Sequence, residues 1–363
     1  MARQAHHAAG GLQARPRHPV FQGLREDKSA AELRADAVSA QNQPLARAKQ
    51  AQAAMKSVTS ASMTDGPAVL AGHTITHPER VIDPSSGATK LDLARYYATV
   101  APLIQPHLAQ HPVALLRAPD GIGGEQFFQK HNEGRALPGV TLLDAALDPG
   151  HAPLLEIGTE AALLGVVQMN AVELHTWNAT HDKIERPGRF VLDLDPGEGV
   201  AWPQVQEAAQ LVRTLLTELG LVPFLKTSGG KGLHVVTPIK RLHDWDTVKA
   251  FSKALAEHLA RLMPDRFTAV SGPKNRVGKI YPDYLRNARG ATTVCAWSAR
   301  ARPGLGVSVP LAWDELTGLT SAAQWTIKNI EQRLRPGNEV WAGYTEAARG
   351  ITPSVKKLAR TQR

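Results

Sequence analysis

Apolar residues recur at helical spacing over residues 91–104, 161–171, 202–219 and 246–263. Shorter apolar runs occupy 113–117, 189–195, 222–226, 233–238 and 279–285. The first set predicts amphipathic helices and the second predicts strands. Lys90 and Asp92 mark a helix start, and Pro203 and Gly220 suit the first turn and the stop of another. Helical segments are also expected at 313–316 and 327–334, and a loop over 119–124 releases the pair Phe127 and Phe128. The 161–171 helix is expected to end near His175. Strands and helices alternate without a regular βαβ repeat, which predicts an α+β fold with a mixed or antiparallel central sheet flanked by helices. Residues 1–66 differ: they are rich in Ala, Gln, Arg and His, and the stretch from Lys49 to Lys56 offers no apolar stripe. They read as flexible linker. The expected division is therefore 1–66, a globular 67–345, and a loose basic tail over 346–363.

Composition narrows this picture. The chain has 363 residues, 43% of them hydrophobic, enough for one large domain or two modest ones. A net charge of +9 fits a polyanion partner without requiring one. Cys295 is the single cysteine, which excludes internal disulfides and a multi-cysteine zinc site and suggests a reducing, cytoplasmic setting. The chain has no apolar run of membrane-spanning length, and its N-terminus lacks the apolar segment of a signal peptide.

The sharpest chemical signal is Leu192-Asp193-Leu194-Asp195-Pro196-Gly197. Residues two apart on a strand share a face, so Asp193 and Asp195 project together while Leu192 and Leu194 anchor the other side. Two adjacent carboxylates repel, and a divalent cation resolves the repulsion; the plainer alternative is a pair of loop-edge carboxylates capping a turn. Asp283 ends another apolar strand and is the candidate third ligand of a two-metal site. Alone it would read as a surface residue. Thr227-Ser228-Gly229-Gly230-Lys231-Gly232-Leu233-His234 is not a Walker loop, because its glycine spacing differs and strands flank it. It reads either as a simple hairpin or as a phosphate cradle completed by Lys231 and His234. Arg276, Lys279, Arg286, Arg289 and Arg300 surround Asp283 in sequence, as a solvated basic edge or as a clamp on triphosphate or DNA. Phe127 and Phe128 beside Lys130 are either core aromatics or a stacking platform for a base. His175 by itself reads as an ordinary core histidine.

Together these residues resemble the polymerase domain of bacterial DNA ligase D, in the archaeo-eukaryotic primase-polymerase superfamily. The resemblance spans roughly residues 72–345 and rests on the Leu192–Gly199 stretch, the Ser228–His234 stretch and the Asp283 strand. It implies that Asp193, Asp195 and Asp283 are catalytic and hold two divalent ions, manganese favoured over magnesium. It implies that His175, Ser228, Lys231, His234, Arg276 and Arg300 bind the nucleotide. Phe128 would stack on the template, and Arg80 and Lys90 would take a DNA 5′-phosphate. Some relatives carry a lysine at the position of Arg80 and an asparagine near His77. The implied activity is addition of NTP or dNTP to 3′ ends, for gap filling and end remodelling in non-homologous end joining. Implied partners are broken or gapped DNA, Ku, and ligase and nuclease modules of one polypeptide, with a nucleoid-associated location and no membrane. A primer-independent primase and a non-catalytic DNA-end scaffold are the alternatives. Residues 17–28 resemble the end of a ligase domain, so the chain is expected to be a portion of ligase D. No Lys-x-Asp-Gly adenylation motif is present, so no ligase activity is expected.

Overall fold

The computed structural model describes residues 67–361 apart from 133, 135 and 136. The readings of residues 1–66, including the ligase-like piece at 17–28, lie outside the described residues. The described chain opens with two hairpins, β1 (Ala68–Leu70) with β2 (His73–Ile75) and β3 (Val81–Asp83) with β4 (Ala88–Thr89). Helix α1 (Lys90–Leu108) follows at once. Its start is set by Thr89, whose hydroxyl accepts from the Asp92 N–H while the Asp92 carboxylate accepts from the Thr89 N–H. Then come β5 (Val113–Arg117), β6 (Phe127–Gln129), β7 (Thr141–Leu142), β8 (Leu155–Glu156), α2 (Glu160–Gln168) and β9 (Ala171–Thr176). The second half runs β10 (Arg189–Pro196), α3 (Trp202–Glu218), β11 (Phe224–Thr227), β12 (Leu233–Pro238), α4 (Trp245–Leu262), β13 (Ile280–Asp283), β14 (Thr293–Val294), β15 (Pro310–Leu311), α5 (Glu331–Leu334) and α6 (Thr352–Arg360).

The fold is α+β as expected, and beyond the two opening hairpins the described strands form two antiparallel sheets flanked by helices. One has the order β14-β9-β5-β8-β7 with β6 added to β5, the other the order β13-β10-β12-β11-β15. Each sheet buries one face against helices. Val172 and Leu174 of β9 join a core with Leu93, Tyr97 and Ile104 of α1 and Leu163 and Val166 of α2. Phe190, Leu192 and Leu194 of β10 join a second core with Val205 and Val212 of α3 and Phe251 and Leu255 of α4. Strand alternation then turns Glu173 and His175 of β9, and Val191, Asp193 and Asp195 of β10, to the opposite faces. Two contacts bring the sheets together: Arg189 of β10 donates to Thr176 Oγ1 at the end of β9 at 2.7 Å, and Lys226 of β11 donates to the Val294 carbonyl of β14 at 3.0 Å.

Four local expectations change. The apolar run 161–171 is two elements: α2 stops at Gln168, Asn170 takes a left-handed turn (φ 64°), and β9 begins, so His175 sits on a strand. Periodicity cannot register a tight turn inside an unbroken apolar run. The strand expected over 279–285 stops at Asp283, whose Oδ1 accepts from the Leu285 N–H at 2.9 Å and starts a 3₁₀ turn. The helix expected over 327–334 is the single turn α5. The tail from Ser354, expected to be loose, is helix α6, and Ile351 and Leu358 are buried in the second core.

Candidate active site

Strand register assembles the acidic centre. Asp193 lies on β10, between β12 and the edge strand β13 of the five-stranded sheet, directly opposite His234 on β12 and opposite Asp283 on β13. Asp195 shares the Asp193 face two residues on. His234 Nε2 is 3.3 Å from Asp193 Oδ1. The Arg286 Nε is 3.1 Å from Asp283 Oδ2 and 3.8 Å from Asp193 Oδ2, and Arg276 pairs with Asp195. Burial pushes the Asp193 carboxyl up, but His234 and Arg286 outweigh it and hold the group well below the usual range. Burial and the charge of Asp193 raise Asp195 against the pull of Arg276. Burial also raises Asp283, which Arg286 opposes and Asp193 reinforces.

Three carboxylates on one face, two of them destabilised as anions, fit a cation better than they fit one another. The donor set of three carboxylates is all oxygen, which suits hard divalent ions. In this structure Arg276 and Arg286 supply the counter-charge. Among the described residues, the group whose donor atoms all lie within 4.8 Å of one another and could hold a metal ion is a different one: His131, Asp148 and His151.

The glycine turn is built by its own serine. Ser228 Oγ accepts from the N–H groups of Gly230 and Gly232, each at 3.2 Å. Gly229 has φ 67°, and a Cβ on Gly232 would lie 2.1 Å from the Leu194 carbonyl oxygen. The turn thus rests directly on the Asp193–Asp195 strand, with Lys231 exposed at its tip.

A part-buried relay ties this turn to the other sheet. Arg300 donates to the Ser228 carbonyl at 2.7 Å and, through Nε, to Glu173 Oε2 at 2.9 Å. The same Glu173 oxygen lies 2.7 Å from His175 Nε2, and its other oxygen accepts from the Ala301 N–H at 2.8 Å. Burial alone would raise Glu173, but these partners hold it at about 2. His175 then meets the half-exposed Phe128 ring edge-on at 5.1 Å. Arg80 and Lys90 are joined elsewhere, where α1 begins: the Lys90 N–H donates to the Arg80 carbonyl at 2.8 Å. Arg80 donates to the Pro119 carbonyl and Lys90 Nζ to the Gln168 carbonyl. Burial, then the neighbouring Arg80 charge, lowers Lys90 to about 8.

A family description, "LigD, primase-polymerase domain", matches residues 89–341. The chain belongs to the LigD primase-polymerase family. The multifunctional non-homologous end joining protein LigD of Pseudomonas aeruginosa is 51% identical over 343 residues, 94% of this chain and 40% of that protein. The LigD of Mycobacterium tuberculosis, a multifunctional non-homologous end joining DNA repair protein, is 34% identical over 251 residues, 67% of this chain and 33% of its own length. The chain thus spans well under half the length of the curated relatives it matches. Among solved structures, the polymerase domain of Mycobacterium tuberculosis ligase D in complex with DNA aligns with TM-score 0.67 and 28% identity, over 76% of this chain and 99% of that one. No helix among the described residues is long and apolar enough to cross a membrane.

Two residues of this assembly were not singled out from sequence: Glu173 and Lys226. Lys226 is buried, and its ammonium donates to His234 Nδ1 at 3.0 Å, to Ser308 Oγ at 2.8 Å and to the Val294 carbonyl. The available signal was a charge inside an apolar strand run, at a position facing His234 across the hairpin.

Proposed function

We propose that the chain is a metal-dependent nucleotidyltransferase that adds NTP or dNTP to DNA 3′ ends, and that it fills gaps and remodels ends in non-homologous end joining. The observation that carries this reading is the cross-strand alignment of Asp193 with Asp283 and His234, with Asp195 on the same face. Two divalent cations held by Asp193, Asp195 and Asp283 would supply the charge that activates a primer 3′-hydroxyl and offsets the leaving pyrophosphate. The protein's own groups position the nucleotide. His234 is oriented by Lys226 so that its Nε2–H faces the acidic centre, where it can donate to a phosphate oxygen. Arg300, fixed by Glu173, stiffens the Ser228 turn, and Lys231 at the exposed tip would offer an ammonium to the triphosphate. Arg276 and Arg286 can exchange a carboxylate for a phosphate once cations take over the aspartates. His175 and Phe128 lie at the end of the Ser228–Arg300–Glu173 relay, and Phe128 is exposed enough to stack on a template base. Arg80 with Lys90 would receive a downstream 5′-phosphate. Binding of DNA is supported by the solved relative in complex with DNA, and broken or gapped duplexes are its proposed form. Ku, and ligase and nuclease modules in the same polypeptide, are proposed partners, and the longer relative's name as a multifunctional non-homologous end joining protein is in keeping with further modules.

The test is primer extension on a 5′-phosphorylated gapped duplex, with manganese or magnesium and with NTP or dNTP. Asp193→Ala and Asp195→Ala are expected to lower nucleotide addition by at least about 10²–10³-fold, the scale of losing a major electrostatic group. Binding of the gapped DNA should be retained. Addition that survives both substitutions would sink the assignment.

A further inference from the structure

A second constellation, outside the acidic centre, joins two imidazoles to one carboxylate oxygen. His131 Nε2 is 2.8 Å and His151 Nδ1 3.2 Å from the same Asp148 Oδ2. The two rings stack at 5.0 Å, 11° from parallel. Asp148 and His151 come from one tight turn, Asp148-Pro149-Gly150-His151, with Gly150 at φ 87°. His131 reaches across from just beyond β6, where its backbone bridges Leu154.

We propose that His131, Asp148 and His151 form a structural site for one zinc-type divalent transition ion, with water completing the coordination. Two imidazoles and a carboxylate are the donors such ions favour. Four-coordinate bonds of about 2.0–2.1 Å place ligand atoms roughly 3.3 Å apart. The two distances to Asp148 Oδ2 are close to that spacing, so a small opening of the cluster admits the ion. The rest of the cluster is arranged as a support. Arg289 donates to the other oxygen, Asp148 Oδ1, at 2.7 Å, and leaves Oδ2 for the imidazoles. The Arg289 charge does not satisfy the site, because Glu185 pairs with the same guanidinium at 2.8 Å. Arg289 is further held by the Leu147 carbonyl at 2.8 Å and lies over the Trp177 ring. With neutral imidazoles, one negative charge remains among the two carboxylates and one guanidinium, and a cation would answer it.

The consequence lies next to the nucleotidyl-transfer site but does not depend on it. His131 is three residues beyond Phe128, on the continuation of β6. An ion here would cross-link that strand end to the turn before β8, closing the intervening segment and holding the Phe128 strand in place.

The experiment uses the full untagged chain carrying Asp193→Ala, Asp195→Ala and Asp283→Ala, so that the acidic centre takes up no ion. Cobalt(II) is titrated and the visible absorption of a four-coordinate ion is read, then zinc is added in competition. One equivalent of cobalt is expected, displaced by one equivalent of zinc. His151→Ala on that background should weaken binding at least about tenfold. His151 is 60% exposed in its side chain, so its loss should leave the metal-free circular dichroism unchanged. Zinc should raise the melting temperature of the parent and not of the His151→Ala variant; His131→Ala should repeat the loss. No stoichiometric uptake by the parent, or uptake that His151→Ala leaves intact, overturns the proposal. Because the catalytic aspartates are absent throughout, neither result bears on nucleotide addition.

Discussion

A lysine ammonium between two sheets is costly unless each of its protons finds an acceptor. Lys226 finds three, and one of them is the imidazole that faces Asp193. While Lys226 is charged it can only donate, so His234 Nδ1 is then the unprotonated nitrogen and the ring proton sits on Nε2 toward the aspartate. Replacing Lys226 with Met should leave the ring free to take the other tautomer and lower nucleotide addition by about 10–100-fold, the range seen for groups that orient a ligand from behind. A stability signature accompanies this. Burial lowers the Lys226 ammonium from 10.5 to about 7. The unfolded chain therefore binds more protons between about pH 7 and 10.5, and this residue's contribution to stability rises with pH across that window. Below about 7 both states are charged and the burial penalty is felt in full. Denaturant titrations from pH 6.5 to 10 should show a rising component in the parent that Lys226→Met flattens. The residue was hard to read from sequence because its meaning depends on the hairpin partner opposite it. Asp193 and Asp195 were legible because two-residue alternation alone puts them on one face.

At the scale of elements, the Ser228 turn is held by packing as much as by chemistry. Its Gly232 leaves no room for a side chain against the Leu194 carbonyl, and Ser228 occupies the turn's free N–H groups. Gly232→Ala should therefore cost about 1–3 kcal/mol, the range for overpacking a filled interior. Thermal unfolding would measure it, and an unshifted midpoint would mean that the turn yields easily. Phosphate binding predicts small residues here too, which is why the motif was legible while its main constraint was not. The long amphipathic helices α1, α3 and α4 and the strands β5, β10 and β12 follow directly from periodicity and stop signals. What periodicity misses are the junctions: the turn at Asn170 that separates α2 from β9, and the stop at Asp283. Both are decided by one residue's backbone or carboxylate rather than by a repeating pattern. The division of the strands into two sheets was likewise hidden, because strand pairing is non-local. Helix α6 escaped notice because its burial rests on Ile351, Leu358 and the Ser354 hydroxyl, which donates to the Leu219 carbonyl at 2.9 Å.

Across the whole molecule, the acidic centre between the sheets and the cationic corner at the start of α1 are separate features, and a gapped duplex is an object long enough to engage both. Arg80 and Lys90 are not equivalent there. The Lys90 amine is turned inward to the Gln168 carbonyl and 2% exposed, whereas Arg80 is partly exposed and anchored to Pro119 through one guanidinium nitrogen. Arg80 is thus the group that can offer a second nitrogen to a phosphate, with Lys90 adding charge from beneath. Arg80→Ala should leave basal extension of an unphosphorylated gap unchanged and remove the gain that a 5′-phosphate brings. It should also reduce the slope of log affinity against log salt by about one for the phosphorylated duplex, one cation contact fewer. Extension and binding assays on matched duplexes with and without the phosphate, at several salt concentrations, measure both. Full discrimination retained by the variant would mean that the terminal phosphate is read elsewhere on the surface.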